Sequence, residues 1–230
     1  MDRGRVESLA KGALLALVYV ALARFGLRIH AVHGFATLVW PPTGIALVAI
    51  LLLGRRFWPS IAAGALIANV LTGAPVVVAA GIAIGNTLEA ILGAALLRRV
   101  PGFRPSLDRV KDVLGLVGLA AVASCMLSAT IGVASLFLGG IVPAGQAGGT
   151  WRAWWLGDAI GDLVVAPVLL SIPLRGGRSR LAEQAAVLLL LFATSFWIFE
   201  LQSGVVALLS PLLIWAAVRF ELPGSARRPS

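Results

Sequence analysis

Charge is what this chain has least of. Only 13% of its 230 residues are Asp, Glu, Lys or Arg, while 59% are hydrophobic; a soluble globular domain runs near a quarter charged and half apolar. The mean hydropathy of +0.96 points the same way. That shortfall excludes a water-soluble enzyme and a disordered tail. Cysteine is nearly absent too. Cys125 stands alone in an apolar run, so no intrachain disulfide forms and the count is silent on redox compartment. Tyrosine is down to a single residue beside 7 Trp, a balance suited to packing in a bilayer. Catalytic signatures are missing as well: there is no G-x-S-x-G, no H-E-x-x-H and no P-loop. The D-x-x-x-D of Asp158 and Asp162 lacks the second Asp-rich motif that metal-dependent prenyl transferases carry. No enzyme is expected.

What is present is a series of apolar stretches separated by Arg clusters or Gly/Pro breaks. Windows of about 19 residues give eight spans, at roughly 9–28, 36–54, 57–72, 75–97, 112–137, 152–174, 182–200 and 203–220. Gly54-Arg55-Arg56 and Gln202-Ser203-Gly204 each leave room only for a tight helical hairpin. With the N-terminus inside, 16 of the 19 Lys and Arg fall on the cytoplasmic side, leaving Arg24, Arg28 and Arg152 outside. The formal charge of +9 is therefore a topology signal, with anionic lipid headgroups as its contact. Nucleic acid is not a partner, since no basic cluster is long or interleaved with aromatics. The first apolar run, although it ends in Ala21-Leu22-Ala23 like a cleavable signal, is read as a retained span. The expected fold is thus all-α, a single polytopic integral membrane helical bundle over residues 1–230, N-in and C-in.

Four acids interrupt this apolar pattern: Glu89, Asp158, Asp162 and Glu200 lie within or at the end of spans. A carboxylate at mid-bilayer costs ~3 kcal/mol on insertion scales, so such groups face inward and mark function, or hold helices together by hydrogen bonds. Gly81, Gly85, Glu89 and Gly93 recur at steps of four, giving one face nearly bare of side chains except for a carboxylate, with Asn86 beside it. Asp158 and Asp162 are also four apart, following Trp154-Trp155-Leu156-Gly157. Two ionised carboxylates there repel, which implies a shared proton, a cation or a reach from Arg152. Helix capping is the plainer role for Asp158.

Trp40 precedes Pro41-Pro42-Thr43-Gly44. Two prolines remove two donors and push Trp40 out of helical geometry. The outer half of the second span is therefore expected to be a break or re-entrant turn lining the interior, where irregular backbone is tolerated. Asn69 adds an amide to the third span. Trp58, Trp154, Trp197 and Trp215, near span ends, read as interfacial belt residues. His30 and His33 in the first outer loop have no further ligands nearby, so neither metal nor cofactor is expected.

Taken in order, these blocks resemble one family. Trp40-Pro41-Pro42-Thr43-Gly44-Ile45-Ala46 with Leu53-Gly54-Arg55-Arg56-Phe57-Trp58-Pro59 is similar to the opening of the bacterial membrane-associated sensor domain, type 1. Gly85-Asn86-Thr87-Leu88-Glu89-Ala90, and Trp155-Leu156-Gly157-Asp158 with Gly161 and Pro167, resemble its later blocks, and the likeness covers about residues 35–220. The resemblance implies a membrane input module of around eight helices, which normally precedes a histidine kinase or diguanylate cyclase. No output domain follows Glu221 here, so the expectation is either a fragment of a longer protein or a free-standing member that signals through a partner.

The leading expectation is a sensory or regulatory membrane module with a pocket open to the outer side. Its ligand-binding candidates are Trp40, Pro41, Asn69, Asn86, Glu89, Trp155, Asp158 and Asp162. Gly81, Gly85, Gly93, Gly157 and Gly161 are the helix-packing candidates along which a ligand or proton shifts the bundle. Two rivals use the same residues: an accessory subunit of a larger membrane complex, and a small transporter with the acids as a relay. No inverted repeat supports the transporter.

Overall fold

The first two prolines decide where the second helix starts. Proline at the first turn loses nothing, because those N–H groups have no intrahelical acceptor. In the computed structural model, which describes residues 3–28, 34–37 and 39–171, helix α2 accordingly runs Pro41–Leu52. The chain before it is non-helical, with Trp40 at φ −120° and ψ 84°. Around it stand α1 (Arg3–Arg28), α3 (Trp58–Leu71), α4 (Val76–Arg99), α5 (Val110–Gly115), α6 (Cys125–Leu138) and α7 (Ala144–Ser171). A π-helical stretch, Leu116–Ser124, joins α5 to α6. No strand occurs among the described residues.

Four of these helices are long and apolar enough to cross a membrane: α1, α4, the continuous 110–138 helix and α7. The fold is all-helical, as expected. The expected spans 36–54 and 57–72 appear as shorter helices, α2 with 12 residues and α3 with 14. At 1.5 Å per residue they are about 18 and 21 Å long, short of a hydrocarbon core of roughly 30 Å. The sixth expected span appears as α7, which begins at Ala144, eight residues before the expected 152. The expected spans 182–200 and 203–220, with Trp197, Glu200 and Trp215, lie outside the described residues, as do His30 and His33.

Between α2 and α3 the turn is as tight as expected. Gly54 takes φ +99°, a left-handed conformation that suits glycine, and Arg55–Phe57 form one 3₁₀ turn. The two helices do not form a packed hairpin, however; both pack on α1 and α4 instead. Their C-terminal carbonyls are capped by arginines from other helices. Arg98 of α4 donates to Ile50 O at 2.7 Å, and Arg24 of α1 donates to Leu71 O at 2.8 Å. A cation at a helix C-terminus meets the negative end of its dipole. Helix α4 is the centre of the bundle, touching α2, α3, the π stretch and α6. The core is made largely of Ala, Leu and Ile from α1 to α4, with a second cluster between α4, α6 and Trp154 of α7.

Candidate functional site

The non-helical segment and α7 are held together by backbone. Trp40 N donates to Gly157 O at 2.9 Å. A side chain on Gly161 would run into Trp40 O, and one on Gly44 would lie 2.6 Å from Gly161 O. Glycine at 44 and 161 thus lets two backbones meet where any Cβ would hold them apart. Trp40 itself is buried, and the ring lies against Gly26 of α1. Both ends of the expected signature, Trp40–Ala46 and Trp155–Asp158, meet here.

That contact places Thr43 of α2 over α7, where its hydroxyl donates to Asp158 Oδ1 at 2.9 Å. One turn further along α7 is Asp162, whose Oδ2 lies 3.8 Å from Cys125 Sγ of α6. Glu89 of α4 completes the group: one carboxylate oxygen each of Glu89 and Asp162 and the Cys125 sulfur all lie within 4.8 Å of one another. All three acids are at most 2% exposed, so they face the interior and not lipid. Glu89 Oε1, Asp158 Oδ2 and Asp162 Oδ1 accept no hydrogen bond from the described residues. The ion pairs among the described residues, Lys11–Glu7, Arg104–Asp108 and Arg109–Asp112, all lie elsewhere. Arg152 is exposed and makes no ion pair with Asp158. The capping role for Asp158 also fails, because α7 begins at Ala144 and Asp158 sits well inside it.

A second polar chain runs beside the acids. Trp154 Nε1 donates to Ser128 Oγ at 3.3 Å, and Ser128 donates to Asn86 Oδ1 at 2.9 Å. Asn86 Nδ2 donates to Tyr19 OH at 2.9 Å. Four helices, α7, α6, α4 and α1, are tied by these three bonds. Asn86 is therefore part of the polar centre, though bonded to Tyr19 and Ser128 and not to Glu89.

Two expected site residues stand apart. Asn69 turns back on its own helix, donating to Ala65 O at 2.8 Å. Trp155 points away from the acids: it stacks on Trp151 and donates to Val122 O of the π stretch at 3.1 Å. Its neighbour Trp154, expected at an interface, is the buried one, with its ring against Gly132. Successive helix residues point about 100° apart, so only one of the two can face inward. The Gly81/Gly85/Gly93 stripe does pack, against Ser135, Ile131 and Ser124.

Sequence reasoning missed Tyr19, Thr43, Cys125 and Ser128. Three of them carried a signal. Tyr19 is the single tyrosine and sits in mid-span, away from the interfaces where tyrosine gathers. Thr43 lies inside the quoted Trp40–Ala46 block, and Ser124 and Ser128 share a face four residues apart. The π stretch left no such signal. Its carbonyls are taken up by side chains: Ala120 O accepts from Ser124 Oγ at 2.7 Å. Such bulges recur at functional positions.

Space around the acids is small. A cavity of about 10 Å³, lined by Phe35, Ala36, Thr37, Trp40, Trp154 and Asp158, has room for about one water. The open pocket expected from the sequence is closed here. A far larger groove, about 560 Å³, runs along α3 and α4 past Arg55, Arg56, Trp58 and Leu88, and none of the acids lines it. Chemically the centre can take up protons or a cation. Among the described residues, the cavity beside Asp158 admits no more than about one water.

Among the described residues, the polar groups of an all-helical fold are gathered in its interior. The MASE1 family model matches residues 12–227, and the chain belongs to that family. MASE1 is a membrane sensory domain of signal transduction and is not itself catalytic, which is the family and the class expected from the sequence blocks. The chain is similar to the probable diguanylate cyclase DgcE of Escherichia coli (strain K12), with 27% identity over 215 residues, 89% of this chain and 19% of that protein. It thus spans about a fifth of that relative's length. No solved structure matches.

Proposed function

We propose that this domain senses the occupancy of its buried acid centre, by a proton or small ligand arriving from the outer side, and passes it to an output partner of the cyclase class. One observation carries the reading: three carboxylates from two helices, each with an unpartnered oxygen, meet where α2, α4, α6 and α7 converge. Three anions in that space repel, and whatever neutralises them lets α4 and α7 approach. The Gly81, Gly85 and Gly93 face of α4 is the surface on which such a shift is transmitted to α6, since it opposes backbone and short side chains. The eight-span, N-in and C-in topology of the inner membrane belongs to the same proposal, supported by the placement of 16 of 19 basic residues. A cyclase partner is suggested by the relative, which is named as a probable diguanylate cyclase.

The test joins this chain to a diguanylate cyclase domain and follows product formation in native membranes. Glu89→Gln and Asp162→Asn, which fix the neutral form, are expected to change output at least ~3-fold at equal expression, a shift of roughly 0.65 kcal/mol in a two-state equilibrium. Asp108→Asn, at an exposed loop pair, is expected to change nothing. Identical output from wild type and both interior variants defeats the proposal.

A further inference from the structure

We propose that Glu89, Cys125 and Asp162, with Asp158 alongside, form a binding site for one divalent transition metal of the zinc class. The inference rests on the sensory reading and names its ligand; it departs from the sequence expectation of no metal. Three donor groups converge from three helices, α4, α6 and α7, with their ligand atoms within 4.8 Å of one another. In a tetrahedral zinc site, bonds of about 2.0–2.3 Å put neighbouring ligand atoms roughly 3.3–3.7 Å apart. The Cys125 Sγ to Asp162 Oδ2 separation is already 3.8 Å, so closing the site takes movement of about 1 Å or less.

The unpartnered oxygens are the second, independent observation. Glu89 Oε1 and Asp162 Oδ1 are fully buried with no donor, although buried polar atoms are nearly always satisfied. A cation supplies what no side chain does: no Lys, Arg or His among the described residues pairs with any of the three acids. Three polar neighbours of the acids also bond other groups. Asn86 Nδ2 bonds Tyr19, Ser128 bonds Asn86, and Ser124 bonds Ala120 O.

The ligand types select the metal. A thiolate is soft and excludes Mg²⁺ and Ca²⁺, which prefer six or more oxygens, while two carboxylates are harder than the Cys-rich shells that take Cu⁺. On binding, the Cys125 thiol gives up its proton to solvent and the sulfur forms the metal bond. Asp158, held at Oδ1 by Thr43, is placed one turn before Asp162 to complete the shell or hold a metal-bound water. The cavity lined by Thr37, Trp40, Trp154 and Asp158 has room for about one water at this end of the cluster.

The experiment uses the full chain, purified in detergent, stripped with chelator and titrated with Co²⁺, then with Zn²⁺ in competition. One Co²⁺ per chain is expected, with a thiolate-to-cobalt charge-transfer band in the near ultraviolet and tetrahedral bands in the visible, all displaced by Zn²⁺. Cys125→Ser should abolish the charge-transfer band, and Glu89→Gln or Asp162→Asn should weaken binding by ~10-fold or more. Asp108→Asn should bind as wild type. Thermal unfolding without metal checks that each variant is folded, and wild-type stoichiometry decides even where a variant is not. Uptake below ~0.1 Co²⁺ per wild-type chain, or a charge-transfer band unchanged in Cys125→Ser, overturns the metal site. If metal uptake fails while Glu89→Gln still changes cyclase output, the sensory reading stands and only its ligand is wrong. Uptake with no change in output leaves the site standing and removes the sensory reading.

Discussion

At the scale of single residues, the interior is held by a few hydrogen bonds whose loss leaves a partner stranded. Thr43 donates its hydroxyl to Asp158 Oδ1 at 2.9 Å. Thr43→Val keeps the shape of the side chain and removes the donor, so it should destabilise the domain by about 1–3 kcal/mol, while Thr43→Ser should recover most of it. Denaturant unfolding in micelles compares the three. Tyr19→Phe is milder. It takes away the acceptor of Asn86 Nδ2, and hydrogen bonds between membrane helices average about 0.6 and reach about 1.7 kcal/mol, so a loss in that range is expected in the same measurement. A loss near zero in both variants would mean that trapped water replaces the missing groups.

At the scale of elements, close approach of backbones decides more than side-chain bulk. Gly161 and Gly118 are both helical glycines, yet alanine at them should act with opposite sign. A Cβ on Gly161 strikes the backbone of Trp40, which cannot swing aside, whereas one on Gly118 meets nothing within 4 Å. Gly161→Ala should therefore cost about 1–3 kcal/mol or more by overpacking. Gly118→Ala should stabilise by about 0.5–1 kcal/mol through lower chain entropy, provided the π stretch keeps its geometry. Thermal melting in one detergent reads both. The Pro41–Pro42 start of α2 was legible in the sequence because proline acts on its own and the preceding residue's backbone. The dock of Trp40 on Gly157 was not, since it joins residues more than a hundred positions apart.

At the scale of the whole molecule, the distribution of arginine makes an accessibility prediction. In a chain with Cys125→Ala as background, Ser106→Cys lies in the Arg- and Lys-rich loop between α4 and α5, and Ala144→Cys at the start of α7; both positions are exposed. A membrane-impermeant maleimide should label Ala144→Cys in intact cells and Ser106→Cys only after the membrane is opened. The reverse pattern would invert the proposed orientation.

The sequence by itself determined the class of this protein. Its poverty of charge and its long apolar runs led to a helical membrane domain, because hydropathy and proline chemistry act locally and survive without knowledge of contacts, and its four ordered blocks led to the sensory family they resemble. Spacing alone also put Asp158 and Asp162 on one face and set Glu89 in a glycine stripe. The tertiary structure decided which helix faces meet. A period of 3.6 residues says which side chains share a face but not which face turns inward. Trp154 and Trp155, adjacent in sequence, thus part company, and Asn69 leaves the centre while Tyr19, Thr43, Cys125 and Ser128 join it. The π stretch completes the difference, since its wider turn sets the phase in which Ser124, Cys125 and Ser128 are presented to α4 and α7.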